Sequence, residues 1–570
     1  MQVYHIKIQH FRGIEQCEAT FEQQIACLIG PGDSTKSTIL DAIEYVLCPN
    51  WFIPFDDSDF TNADISREIT IDVTVGPVPF DLRAEGKYGM HLRGWSPRQH
   101  IIHDDAAEHE EDTPVLTIRL KVDRDLTPEW LVVTNRTPDG VRISYRDRQR
   151  FRVVRIGANP DNELSWTRGS ALLKLTSDMR NAEQLLLDAS RKLRDVPGLA
   201  SVVDFDTSIK ATKEGAESLG LALPSLRVDI DPRSLRANAA TLSLHNDKVP
   251  ARRLGLGTRR LLAIGAQLQA MEEGAIVLID EIEHGLEPHR IKHLIRTLTK
   301  RIGSGSGQMI MTSHSPAALE ELGAQPLHVV RSSRLTTSFT KVGTPAQGTV
   351  RDIPEAFLSP RVIVCEGPTE VGLLRSYEKL VLLTKSQSFA LHGVLPVYGS
   401  GSSAPKRASD LREHGYDVCL FADSDTRSSW QQPSEDDLIN SGVKVIVWAD
   451  DCCTEKRVTD DLPDTTSLLC LVKASQKAGI AEQSALDAIN AGLPIQKLSN
   501  LDEIATYADL YALRQAIYKA SISDGKAWFK TVSRGEILGD FIFSTVFAQM
   551  QSTDFYKKLK TLEDWALGGR

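Results

Sequence analysis

No apolar run in this chain approaches the roughly 18–20 residues that a bilayer-crossing helix requires, so no membrane span is expected. No secretory leader is expected either, because Tyr4, Ile6 and Ile8 alternate with polar residues as in a strand. The eight cysteines contain no C-x-x-C pair, and the adjacent Cys452 and Cys453 are poorly spaced for structural zinc. A cytoplasmic protein with reduced thiols is the expectation. Positive charge is not in excess. The net charge of −10 excludes a polybasic, histone-like binder but leaves room for a local basic surface. Internal repeats and long low-complexity tracts are also absent. What remains is ordinary globular composition, 25% charged and 41% hydrophobic, over 570 residues, enough for about two to four domains.

Four carboxylates in two short motifs stand out, Glu366-Gly-Pro-Thr-Glu370 and Asp423-Ser-Asp425. Each follows an apolar run, Val362-Ile363-Val364 in one case and Val418-Cys419-Leu420-Phe421 in the other. Such runs read as parallel strands buried on both faces, and ligands of open α/β sheets bind beyond strand ends. On an extended segment Asp423 and Asp425 point the same way. Both can then reach one hard cation, Mg²⁺ or Mn²⁺. The plain alternative is acidic loop residues capping helices, but the two motifs in sequence, both at strand ends, favour a metal site for phosphodiester chemistry.

A second centre lies upstream. Ile25-Ala-Cys-Leu-Ile29 reads as a strand, Gly30-Pro-Gly32-Asp-Ser34-Thr35-Lys36-Ser37-Thr38 as a loop entering a helix, and Leu40, Ile43 and Leu47 recur at helical spacing. Small residues let backbone N–H groups converge on phosphates, Lys36 reaches them, and the Ser37 hydroxyl suits Mg²⁺. Thr35 stands where such loops carry glycine, so a positive φ there would be costly. Ala275-Ile-Val-Leu-Ile279 is a buried-strand run ending in Asp280-Glu281, with Asp280 suited to holding magnesium and Glu281 to polarising water. Arg253-Leu-Gly255-Leu-Gly257-Thr-Arg-Arg260 leads into an apolar helix, and its glycines can approach a γ-phosphate. His314 follows Met309-Ile-Met311 at another strand end, where it could sense that phosphate.

On these motifs the chain resembles the OLD (overcoming lysogenization defect) family, which includes the nuclease subunit of the Gabija anti-phage system and retron-associated effectors. The resemblance implies an α/β chain: an ABC/SMC-like P-loop ATPase head with a helical insertion, beginning with the strand that ends in Phe11-Arg-Gly13, then a Rossmann-like TOPRIM domain with helical elaboration. It implies ATP with one Mg²⁺ ion, and two Mg²⁺ or Mn²⁺ ions at a nuclease site formed by Glu366, Glu370, Asp423 and Asp425. Glu366 would be general base or first ligand. A further acid is implied after Lys444-Val-Ile-Val-Trp448. Glu455 suits it, with Asp450, Asp451, Asp460 and Asp461 crowding the same stretch. A late catalytic lysine is implied as well, Lys530 fitting best and Lys526 second. Implied partners are DNA, a second copy or a higher homo-oligomer, and a helicase-like or retron partner, in the setting of phage defence. Thr426 departs from the glycine that often follows the Asp-x-Asp.

The expected layout is ATPase residues 1–164, a helical insertion 165–222, ATPase residues 223–355, and TOPRIM residues 356–570 with a helical insertion near 463–525. The first insertion, with Leu172, Leu173, Leu185, Leu186, Leu187 and Leu193, reads as a dimerisation element or as a packing lid. Gly399-Ser-Gly-Ser-Ser403 reads as a loop bordering the acidic site. Arg146, Arg148, Arg150 and Arg152 are spaced to share one strand face, as a charge-guarded edge or a phosphate contact. The expected activity is nucleotide-regulated, metal-dependent DNA cleavage. Two rivals stand beside it: an SMC-like DNA clamp whose TOPRIM half is a scaffold, and topoisomerase chemistry, which would need a tyrosine near the metal.

Overall fold

The computed structural model describes residues 1–570 except 33, 50–52, 107–109, 158–159, 168, 177–204, 224, 231–241, 304, 306, 334–335, 431, 524 and 569–570. Two compact units, Met1–Thr344 and Pro345–Arg570, divide the chain. Within the first insertion, Leu185, Leu186, Leu187 and Leu193 lie outside the described residues.

In the first unit, apolar runs separated widely in sequence become neighbours in one sheet. Val153–Ile156, Ile276–Ile279, Gln308–Thr312, Ile25–Ile29 and Leu327–Ser332 lie side by side, all parallel. The middle runs are buried along nearly their whole length, as strands covered on both faces must be. The same sheet continues through Thr337–Lys341 into an antiparallel region containing Gln2–Phe11, Ile14–Thr20, Ile69–Gly76 and Thr113–Val122. Two helices back the parallel part. Lys36–Leu47 buries Leu40, Ile43 and Leu47, the positions its periodicity marks. Leu256–Ala270 packs on Asp206–Ser218, where a Cβ on Gly215 would stand 2.6 Å from the Gly265 carbonyl.

The second unit holds four parallel strands in the order Val394–Tyr398, Arg361–Cys365, Asp417–Ala422, Lys444–Val447. The first of these in sequence, Arg361–Cys365, sits inside the sheet, and the chain builds outward from it on one side and then the other. The crevice between Arg361–Cys365 and Asp417–Ala422 is therefore the switch point, the place where such sheets bind ligands. Residues 463–525 contain the helices Thr465–Lys477, Glu482–Gly492 and Leu510–Ser521.

One helix contact in this unit is unusually close. Pro368–Lys385 crosses Val532–Phe541 through Gly372 and Ser376 on one side and Gly535 and Gly539 on the other, each pair one helical turn apart. A Cβ on Gly372 would lie 2.1 Å from the Val532 carbonyl oxygen, and one on Gly535 would lie 2.5 Å from that of Thr369. Ser376 Oγ ties the pair further, at 2.6 Å from Asp540 Oδ1.

The arginine stretch corrects its sequence reading. Tyr145–Arg148 is a helical turn and Gln149–Phe151 a 3-10 turn, because the Ser144 hydroxyl accepts the Asp147 N–H and Phe151 is pulled into the core. The four arginines do not share a strand face. Arg148 is buried over Trp130, 3.9 Å from its ring centroid, while Arg146, Arg150 and Arg152 are exposed.

Candidate functional site

The phosphate-loop residues gather where the parallel strands of the first unit end. Gly30, at φ 144°, lies so close to the neighbouring strand that a Cβ would be 2.3 Å from the Val330 carbonyl oxygen. Thr35 adopts φ 64° and ψ 14°, the left-handed conformation its β-branched side chain resists. Its hydroxyl caps no helix N–H, and a helix N-terminus at such a loop favours an anion. Lys36 folds over the loop, its ammonium 2.8 Å from the Pro31 carbonyl, 3.1 Å from that of Gly30 and 2.8 Å from Ser34 Oγ. Thr38 is half-buried on the same first turn, and Gly32 has open space where a Cβ would project.

Asp280 stands opposite. Its Oδ1 accepts from Ser37 Oγ at 3.1 Å and Thr312 Oγ1 at 2.5 Å, and its Oδ2 faces Arg155 Nη2 at 3.2 Å. Glu281 is exposed beside it at φ 44°. His314, also exposed, is held through its backbone N–H by Glu283 at 2.6 Å. Partial burial and the nearby Lys36 charge depress its basicity. Of the two expected glycines, Gly255 begins the Leu256–Ala270 helix with open space around it. Gly257 instead backs onto the turn after Asp280, where a Cβ would sit 2.3 Å from the Gly285 carbonyl oxygen. Arg260 binds that turn too, donating to the carbonyls of Asp280 at 2.9 Å, Glu281 at 2.6 Å and His284 at 2.7 Å.

In the second unit, the switch-point crevice collects the acids. Glu366 Oε2 accepts from the Asp423 N–H at 3.1 Å and Thr426 Oγ1 at 2.9 Å. Thr426 thus holds the first acid directly. Asp423 Oδ1 accepts the backbone N–H and hydroxyl of Thr454, each at 2.8 Å. Asp425 is more exposed, on the turn after the strand. Glu370 is fully buried, and its Oε1 has no hydrogen-bond partner. Glu455 is buried as well and meets the Lys530 ammonium at 2.9 Å. The close helix crossing sets that meeting, because Thr369 Oγ1 holds the Phe529 carbonyl at 3.0 Å. Three of the four competing acids turn elsewhere: Asp460 pairs with Lys456, while Asp450 and Asp461 pair with Arg457. Lys526 is exposed four residues earlier. The Gly399–Ser403 loop is joined to the site by the Gly401 N–H, which donates to the Glu366 carbonyl at 2.8 Å.

Electrostatics mark the crevice as strained by charge. Burial, then the Glu370 and Glu455 charges, pushes Asp423 well above the usual carboxylate range. Burial followed by Glu455 raises Glu370, burial raises Glu366, and burial with Asp451 raises Asp425. Burial pulls Lys530 down, but Glu455 more than reverses this, so the ammonium is held charged. Among the described residues, no group of three or more His, Cys, Asp or Glu side chains is arranged to hold a metal ion. In this arrangement threonines cap Glu366 and Asp423, and Lys530 engages Glu455. The donor set nevertheless suits a hard divalent cation: all oxygen, several buried, mutually repelling, with one orphaned oxygen on Glu370.

Two family models match the first unit, "AAA ATPase domain" over residues 1–81 and "AAA domain, putative AbiEii toxin, Type IV TA system" over 119–320. An OLD nuclease of Thermus scotoductus (strain ATCC 700910 / SA-01) is 26% identical over 350 residues, 58% of this chain. The chain is similar to that OLD nuclease over this stretch. It spans 62% of that OLD nuclease's length. Solved structures similar to it include an Smc head bound to the C-winged helix domain of ScpA, 14% identical over 60% of this chain and 97% of that one, TM-score 0.36. The SMC head domain from Thermotoga maritima is 12% identical over 60% of this chain and 100% of that one, TM-score 0.30. No helix among the described residues is long and apolar enough to cross a membrane.

Sequence reasoning assigned no role at either site to Arg155, Glu283, Thr369 or Thr454. Each acts by holding a neighbouring group in place, and only Glu283, two residues beyond Glu281, carries a positional signal.

Proposed function

We propose that the chain is a nucleotide-regulated, metal-dependent DNA endonuclease acting in phage defence. The observation that carries this reading is the convergence of Glu366, Glu370, Asp423 and the Glu455–Lys530 pair on one switch-point crevice. Glu366, Glu370, Asp423, Asp425 and Glu455 would hold Mg²⁺ or Mn²⁺, two ions in all. Bound there, such ions supply Lewis acidity and an activated water. Glu366, its basicity raised by burial, is placed to take the water's proton. Lys530 offsets charge developing on the scissile phosphate, and Thr426 and Thr454 fix the carboxylates they cap. In the first unit, Lys36, Ser34, Ser37 and the N-terminus of the Lys36–Leu47 helix bind ATP, Asp280 orients its magnesium, and Glu281 polarises water. ATP would bias access to the acidic crevice by differential affinity for two arrangements.

Supercoiled plasmid with Mg²⁺ or Mn²⁺ tests the reading. Nicked or linear product is expected, and its loss in Asp423→Ala and Glu366→Ala, with ATP binding intact. Cleavage at the wild-type rate in either variant would show that the metal site is elsewhere. Lys530→Ala should slow cutting on the order of 10²–10³-fold, whereas Lys526→Ala should do far less. An unchanged plasmid favours the DNA-clamp reading. The topoisomerase alternative would need relaxed closed circles that are lost in a tyrosine variant such as Tyr518→Phe, whose phenolate burial and the neighbouring Cys453 disfavour.

A further inference from the structure

A cleft of 1030 Å³ opens in the first unit, and none of the phosphate-loop residues lines it. Arg152 and Gly274, which line it, precede the parallel strands Val153–Ile156 and Ile276–Ile279. Asp280 follows the second strand at its other end, about 13 Å along for four residues. The cleft and the phosphate loop therefore lie at opposite ends of the same strands.

Two features of its lining point to a ligand. First, Phe80 is 89% exposed, although its neighbours Val78 and Leu82 are fully buried. Those two anchors, and the Arg83 Nε bond of 2.6 Å to the Val78 carbonyl, fix the turn so that the ring cannot retreat into the core. A large aromatic held outward in a cleft is a stacking platform. Second, the lining carries Arg83, Lys87, Arg146, Arg150 and Arg152 against four carboxylates, a local reversal in a chain of net charge −10. Asp81, Asp147 and Glu272 are ion-paired with Arg150, Lys87 and Arg152, which positions those cations while leaving donors outward. Arg146 is exposed and forms no ion pair among the described residues.

We propose that this cleft holds a single-stranded nucleic-acid segment, with Phe80 stacking on an unpaired base and Arg146 and Arg150 contacting the flanking phosphates. A duplex would hide its base faces from Phe80, so the ring selects an unpaired strand. The inference extends the nucleic-acid reading but does not depend on the acidic crevice.

The test is fluorescence anisotropy with the full chain and a labelled oligothymidylate in EDTA, where no cleavage occurs. Phe80→Ala should weaken binding about tenfold, and Phe80→Trp should retain it. Arg146→Gln should lower the salt slope by about 0.7. A duplex of equal length should be indifferent to Phe80→Ala. Both residues are exposed, so melting temperatures should not move. Wild-type affinity and salt slope in Phe80→Ala and Arg146→Gln would overturn the proposal. So would an equal loss on duplex, or displacement of the strand by free mononucleotide at matched nucleotide concentration, which would assign the cleft to a small ligand. An uncut plasmid in wild type while Phe80→Ala loses the strand would defeat the nuclease reading and leave this one standing.

Discussion

Thr35 shows how much a single residue can hold in reserve. Its φ of 64° would suit glycine, yet its methyl group stands 3.2 Å from where Gly13 would bear a Cβ, so neighbours over-determine the strain. Thr35→Gly should stabilise the first unit by about 1 kcal/mol after the larger unfolded-state entropy of glycine is subtracted, raising its melting temperature by about 2 °C. His328 is a second residue with a measurable signature. It is buried between Phe21 and Phe339, its Nδ1–H donating to the Pro326 carbonyl, and burial depresses its pKa to about 4. The unfolded chain, titrating near 6.5, then binds more protons than the folded one between those values. Stability is full above pH 6.5 and declines as pH falls toward 4, by about 3 kcal/mol in total. Melting His328→Gln beside wild type at pH 7 and pH 5 checks this: the variant should show the shallower decline.

At the scale of elements, the contact of Pro368–Lys385 with Val532–Phe541 controls the acidic crevice from behind. Gly372→Ala must push the helices apart, costing about 2 kcal/mol or more, and should draw Phe529 and Lys530 away from Thr369 and Glu455. Cleavage should fall together with melting temperature. Gly348→Ala is the control of opposite sign. It lies exposed on the Gln347–Asp352 helix with nothing within 4 Å of a Cβ, so it should stabilise by about 0.5–1 kcal/mol. Elements of this kind were unevenly legible in the sequence. Buried parallel strands announce themselves as apolar runs, so the ends carrying Glu366, Asp423 and Asp280 could be located from residues alone. The glycines of the helix crossing carry no local signal, because their partners lie more than a hundred residues away. The arginine stretch misleads for a related reason: spacing of two imitates a strand, while the Ser144 cap and the burial of Phe151 decide for turns.

At the scale of the molecule, the open surroundings of Gly32 and Gly255 leave both loops accessible to another surface. The expectation is a dimer in which each phosphate loop meets a partner's Gly255 segment. Light scattering should give at least twice the chain mass, and a monomer mass with and without ATP would reject it. Lys36→Ala should abolish ATP turnover, and Glu281→Gln should bind ATP but turn it over slowly. The two-site plan was legible because its motifs end strands. The order of neighbours within the sheet was not, since pairing between distant runs leaves no trace in local periodicity.

That pairing has a bearing on how the protein is made. Strands from residues 25–29, 276–279, 308–312 and 327–332 adjoin one another, so the phosphate loop emerges long before the strands that flank it. At ordinary rates of synthesis the Ile25–Ile29 strand waits on the order of half a minute for both neighbours. Through that interval a fully apolar strand has open edges on both sides, which makes the nascent first unit a natural client for ribosome-associated chaperones.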